Sequence, residues 1–215
     1  MLTDQLTTEA LGILLHAADA APATHVPRPW RLEVNGHLID VYLDGVHLLP
    51  AADPTARGLR IATGAAVFNL RCAAASLSFE SWVSLCPYPY DPDLVARIVI
   101  EYTGVPDREL RQLYGAILSR HLTRPPGIPD DSTRIALVRA AEIEDARLDW
   151  LPGSFVPLAV LSTDRDSRLD QLRLGIARQR VLLTAAKHDI HATSLNQTLI
   201  RFGRSTRVPA RTESR

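Results

Sequence analysis

Residues 5 to 20 place Leu6, Ala10, Leu11, Leu14, Leu15 and Ala18 at helical spacing, and Pro22 supplies the stop. The period then changes to two. Residues 31 to 34 and 38 to 43 alternate as strands around Asn35-Gly36. That dipeptide predicts a hairpin closed by a type I′ turn, in which φ is positive twice. Asp53-Pro54 offers an N-cap and a proline at the first helical position for a helix running to about Leu77. Its middle, Ala62 to Ala66, is small and apolar on nearly every side, which suits plain burial, the close approach of another helix, or a flat ligand. Residues 81 to 85 and 96 to 102 predict strands. Pro106 and Asp107 open a helix to about Arg120, and residues 132 to 145 give another. The apolar run 155 to 163 predicts a strand covered on both faces, with Pro157 disfavouring its start. A long helix over about 166 to 188 and a strand near 190 to 195 complete the pattern. No internal repeat is visible. Helices flanking a mixed, mostly antiparallel sheet make an α+β domain.

Composition narrows the classes. A chain of 215 residues, 46% hydrophobic and 22% charged, builds one core and is not disordered by composition. No run of about 18 apolar residues is present, so a membrane-spanning helix is not expected. The first twenty residues carry acids and no basic stretch, which reads as a helix rather than a signal peptide, and the cytoplasmic expectation rests on the two cysteines. Cys72 and Cys86 form no C-x-x-C pair and read as reduced thiols. The charges sum to zero, with 24 basic and 24 acidic residues, which argues against a nucleic-acid binder. Residues 201 to 215 hold five Arg and one Glu and read as a basic, disordered tail behind a domain spanning 1 to 200.

The common phosphate-loop, dinucleotide, zinc-protease and serine-hydrolase signatures are absent. His188 and His191 are three apart across an expected turn, and no metal site is assigned. Two segments carry candidate chemistry. In "APATHVPRPW", residues 21 to 30, the prolines restrict the backbone and Pro29 favours an extended Arg28. A stiff segment of this kind presents backbone groups in fixed directions to a ligand, or simply sets Trp30 into the core. In "LSRHLTRPPG", residues 118 to 127, Arg120, His121 and Arg124 fall within five residues. They would either offset a helix dipole or clamp a phosphate.

These segments carry a resemblance. "APATHVPRPWRLEV" is similar to the A-P-S-x-H-N-x-Q-P-W-R signature of flavin-dependent nitroreductases, most of all to the actinobacterial Acg-type branch. Three further stretches resemble that branch in order: "LPAADPTARGLRIATGAAVFNLRCAAASL", "LYGAILSRHLTRPP" and "LAVLSTDRDSRLDQLRLGIARQRVLLTAAKHDIHATSLNQTL". The resemblance implies a nitroreductase-like fold, FMN as cofactor, and NADH or NADPH as electron donor. Hydride would pass through the flavin to a nitro or quinone acceptor. Carried over by position, Pro22, Ala23, His25, Arg28 and Trp30 fall on the segment along the flavin ring and ribityl chain, and Arg120 and Arg124 on the phosphate segment. No catalytic side chain is implied, because the flavin carries the chemistry. The family's Ser, Asn and Gln are here Ala23, Val26 and Arg28, so a non-catalytic, partner-binding or weakly flavin-binding remnant is the alternative. Nitroreductases hold FMN at a dimer interface. The longer branch replaces that dimer with two halves in one chain, and its middle is missing here. The resemblance therefore implies a homodimer, with Ala62 to Ala75 as the contact surface.

Overall fold

The structure, a computed structural model, describes residues 6–23, 28–44, 53–105, 107–119, 127–153 and 156–194, and the backbone of 199–202. Helix α1 (Thr8–Asp19) starts on Thr7, whose hydroxyl accepts the Ala10 N–H at 3.1 Å, and ends at Ala20, just before Pro22. It leads into strands β1 (Trp30–Asn35) and β2 (Leu38–Leu43). The register pairs Asn35 with Leu38, so the loop is Gly36-His37 rather than Asn35-Gly36. Of the two, only Gly36 has positive φ (62°). That is the pattern of a type II′ turn, with glycine first, and not the type I′ turn expected.

Helix α2 (Arg57–Ser76) begins later than its proline suggests. Asp53 to Ala56 form a turn closed by the Ala56 N–H to the Asp53 carbonyl, and Ala56 itself is left-handed at φ 54°. The Asp53 carboxylate still caps the helix, reaching across this turn to the Leu59 N–H at 3.0 Å. Strands β3 (Phe79–Leu85) and β4 (Leu94–Tyr102) complete the first sheet, in the order β1-β2-β4-β3. Helices α3 (Arg108–Ser119) and α4 (Asp131–Glu142) are capped by Asp107 and Asp130. The second sheet holds β5 (Arg147–Trp150), β6 (Leu158–Ser162), β7 (Ala192–Ser194) and β8 (Leu199–Phe202), in the order β5-β6-β8-β7. Helix α5 (Arg168–Lys187) lies between β6 and β7 and opens on a Ser167/Asp170 capping box. Every described strand pair is antiparallel, so the single mixed sheet expected is two antiparallel ones. β6 alternates in burial instead of being covered on both faces, and Pro157 lies just before it, outside the ladder.

The two sheets reveal a repeat that the sequence hides. The order α1-β1-β2-α2-β3-β4 recurs as α4-β5-β6-α5-β7-β8, with the same strand order in each sheet. The repeats meet where α2 crosses α5. Gly64 lies seven residues into α2 and Gly175 seven residues into α5. A Cβ on Gly64 would collide with the Leu172 carbonyl oxygen, and one on Gly175 with that of Ile61. Of the uses open to the small residues of α2, the approach of another helix is the one realised. Ala62, Ala65 and Ala66 are buried inside the chain, so the surface expected to join two copies is already covered by α5.

Candidate functional site

Helix α1 delivers Asp19, Ala20, Ala21 and Pro22 to one wall of a cavity of about 460 Å³. The opposite wall is the C-terminal half of α5, with Leu182 and Ala186. Ile190, His191, Ala192 and Thr193 line the cavity where the chain enters β7. Four alanines give the space a small, apolar lining, and Asp19, His191 and Thr193 add polar groups. The volume falls within the roughly 300–1,000 Å³ usual for cofactor and small-molecule sites.

The signature segment bounds this cavity. The Arg178 Nη2 donates to the Pro22 carbonyl at 3.3 Å and fixes the backbone where the segment leaves α1. Arg178 is itself buried on α5. At the far end of the segment Arg28 has φ 57°, and its guanidinium pairs with the Asp19 carboxylate at 2.9 Å. Its charge is thus held at the cavity rim through a residue that lines it. Pro29 accepts the Asp44 N–H at 3.1 Å, which ties the segment to the end of β2. Trp30 is 6% exposed and belongs to the core beside the hairpin. Of the expected site residues only Pro22 lines the cavity; Ala23 follows it, Arg28 reaches Asp19 at the end of α1, and Trp30 lies in the core. His25, Arg120 and Arg124 lie outside the described residues.

Other residues matched by the resemblance serve structure. Arg57 pairs with Asp166 at 2.9 Å. Arg71 donates to both oxygens of Glu144 at 2.9 Å, and Arg180 donates to Glu144 and to Glu109 at 2.8 Å. Phe68 lies beneath both guanidinium groups, at 5.5 and 5.1 Å. Neither thiol is activated: burial pushes both Cys72 and Cys86 up from the ordinary range. Among the described residues no group of three or more His, Cys, Asp or Glu could hold a metal ion. Sequence reasoning missed Asp19, Arg178 and Thr193, and weighed His191 only as a metal ligand beside His188. The available signal was "ARQR", residues 177 to 180. Its polar side chains sit where helical spacing allows no solvent-facing run, and all are buried.

No family model matches the chain. It is 29% identical over 121 residues to "Putative NAD(P)H nitroreductase acg" of Mycobacterium tuberculosis, a match covering 56% of this chain and 37% of that protein. An uncharacterized protein of the same species, strain CDC 1551 / Oshkosh, is 31% identical over 142 residues, covering 65% of this chain and 19% of the relative. The chain thus spans little more than a third of the length of the first relative and about a fifth of the second. A crystal structure described as "a putative nitroreductase" from Thermotoga maritima superposes with a TM-score of 0.50 at 12% identity, over 92% of this chain and 84% of its own. Local sequence likeness and a fold shared over nearly the whole chain make this a divergent nitroreductase-like protein with the α+β nitroreductase fold.

Proposed function

We propose that the chain is an FMN-dependent oxidoreductase of the nitroreductase type, taking hydride from NADH or NADPH and passing it to a nitro or quinone acceptor. One observation carries the reading: the segment that resembles the flavin signature borders a small-residue cavity of about 460 Å³. The lining fits an isoalloxazine. Ala20, Ala21, Ala186 and Ala192 leave room for a flat ring, while Asp19, His191 and Thr193 can meet polar edges. Bound FMN would supply the two-electron chemistry. The chain's part is to bind and orient it. Pro22 and Ala23 would follow the ring, with His25 along the same segment. Arg28 would hold positive charge at the rim, Trp30 would fix the end of the segment, and Arg120 and Arg124 would take the phosphate. The apolar α5 wall would exclude water. NAD(P)H as donor agrees with a cytoplasmic setting. A homodimer would use a face other than α2, since α5 occupies that helix.

The alternative, a non-catalytic remnant, is favoured by Ala23 and by the engagement of Arg28 with Asp19, which offsets the cation offered to a ligand. Reconstitution separates the two. Protein incubated with FMN and freed of excess should show the oxidised-flavin band and oxidise NADPH in the presence of a nitroaromatic or quinone. A protein that stays colourless overturns the enzyme reading. Residue roles have their own test. A charged hydrogen bond to phosphate contributes about 1.5–3 kcal/mol. Arg124→Ala should therefore weaken FMN binding by roughly 10- to 100-fold, and more than Arg28→Ala, and equal affinities in a titration would reject the assignment.

A further inference from the structure

A second cavity, of about 490 Å³, runs along the outer edge of β3. Among the described strands β3 is the last of its sheet and pairs only with β4. The parity of that ladder is fixed just beyond its ends, where the Cys86 N–H donates to Val95 and the Thr103 N–H to Ser78. Even-numbered residues of β3 therefore exchange hydrogen bonds with β4. The amides and carbonyls of Ser81, Val83 and Leu85 point away from it. Those three residues line the cavity together with Trp82, and among the described residues no other backbone bond reaches them. The rest of the lining comes from Leu169, Arg173 and Ile176 of α5, Arg71 of α2, and Ile143, Glu144 and Asp145 after α4.

We propose that this edge is a β-augmentation site for an extended, uncharged polypeptide segment of four or five residues supplied by a partner protein. Three features specify the occupant. Three donors and three acceptors alternating at strand spacing are matched by another polypeptide backbone and by little else. The volume holds roughly four residues, which sets the length of the segment. The charges of the wall are matched within it: Arg71 is bonded to Glu144 at 2.9 Å, and Arg173 lies 3.8 Å from Asp145. A charged segment finds no unmatched counterpart there, whereas apolar side chains at alternate positions meet Leu169 and Ile176. The inference does not depend on flavin binding.

The probe is the capped peptide acetyl-Val-Thr-Val-Thr-Val-amide, titrated into the full chain with amide hydrogen exchange read residue by residue. At saturation, exchange at Ser81, Val83 and Leu85 should slow at least tenfold, with little change at Trp82 and Ser84, which are already paired. Val83→Pro removes one outward N–H without touching the ladder to β4 and should weaken binding at least tenfold. The same peptide N-methylated at alternate residues serves where that variant fails to fold, and should not bind. Equal binding of the methylated peptide, protection spread evenly over β3, or no binding at millimolar peptide would overturn the proposal.

Discussion

Glu144 is the residue on which three helices depend. It follows α4, accepts from Arg71 on α2 and from Arg180 on α5, and its side chain is only 10% exposed, beside an Arg180 side chain at 4%. A buried ion pair is weak evidence of net stabilisation, but removing one partner strands the other charge, at a cost of about 3–5 kcal/mol. Glu144→Ala should therefore destabilise by about 3 kcal/mol, even though Glu109 still holds Arg180. Asp149→Ala breaks a pair whose side chains are 75% and 55% exposed. It should cost under about 1 kcal/mol. Urea unfolding of both variants decides, and equal losses would mean that the buried network carries no special weight. At this scale the sequence is only half legible. Pro22 lines the cavity, but the extended Arg28 expected before Pro29 is left-handed instead, at φ 57°. The inward polar residues Arg178, Gln179 and Arg180 escape notice although three consecutive helical positions cannot share one solvent face. Their true environment depends on which second helix lies alongside.

The elements are legible wherever local periodicity is strong. α1, α3, α4 and α5 fall within a few residues of expectation, and so do the paired strands of the first sheet. β5 and β8 are not anticipated, because four-residue strands such as "RLDW" take their structure from the neighbours they pair with. The start of α2 is displaced because Pro54 serves a turn instead of a first helical residue. Caps are the most local signals and give a pH prediction. Asp130 is held below its ordinary value by the Thr133 backbone hydrogen bond first and by side-chain bonds after it, and Asp170 by the Ser167 hydroxyl. A carboxyl lowered in the folded state contributes stability above its unfolded value of 3.8, and that stability is lost as pH falls through the folded value. Asp130→Asn should therefore lower stability at neutral pH, and the gap to the parent should close at pH 2. A gap that persists there would show that Asp130 acts by packing. Glycines give a second test. Alanine in place of a helix-interior glycine ordinarily stabilises by roughly 0.5–1 kcal/mol. Gly115→Ala on α3, where a Cβ meets nothing within 4 Å, should follow that rule. Gly64→Ala should reverse it, at about 3 kcal/mol, because the new methyl meets the backbone carbonyl of Leu172. The two melting temperatures should move in opposite directions.

At the scale of the molecule, the two repeats divide the chain into two sheets without dividing it into two domains. The cause lies in α2 and α5. One buried cluster joins the first sheet and α2 with Leu172, Ile176, Leu183 and Ala186 of α5. The other joins the second sheet, α4 and α5 with Ile61 of α2. Each long helix thus belongs to both cores, and buried polar bonds bind them further. The Gln179 amide donates to Asn69 at 2.8 Å, and the Asn69 amide in turn to the Ala17 carbonyl at 2.8 Å. The sequence conceals this architecture because α2 and α5, aligned from their first residues, share only Arg57/Arg168, Gly64/Gly175 and three alanines. What the repeats retain is the close crossing, which only a glycine on each side permits. A shared helical layer means that neither sheet keeps its core when the other melts, and unfolding is cooperative over the whole chain. The tryptophans are placed to test this, with Trp82 on β3 of one sheet and Trp150 on β5 of the other. Variants retaining one of these two as the sole tryptophan at the sheet positions, with Trp30 replaced by Phe in both, should report the same urea midpoint and slope as far-ultraviolet circular dichroism. Adding Gly64→Ala should shift both midpoints by the same amount, although the substitution lies in the first repeat. Separate midpoints, or a shift seen by Trp82 alone, would mean that α2 and α5 touch without coupling and that the repeats fold as independent units.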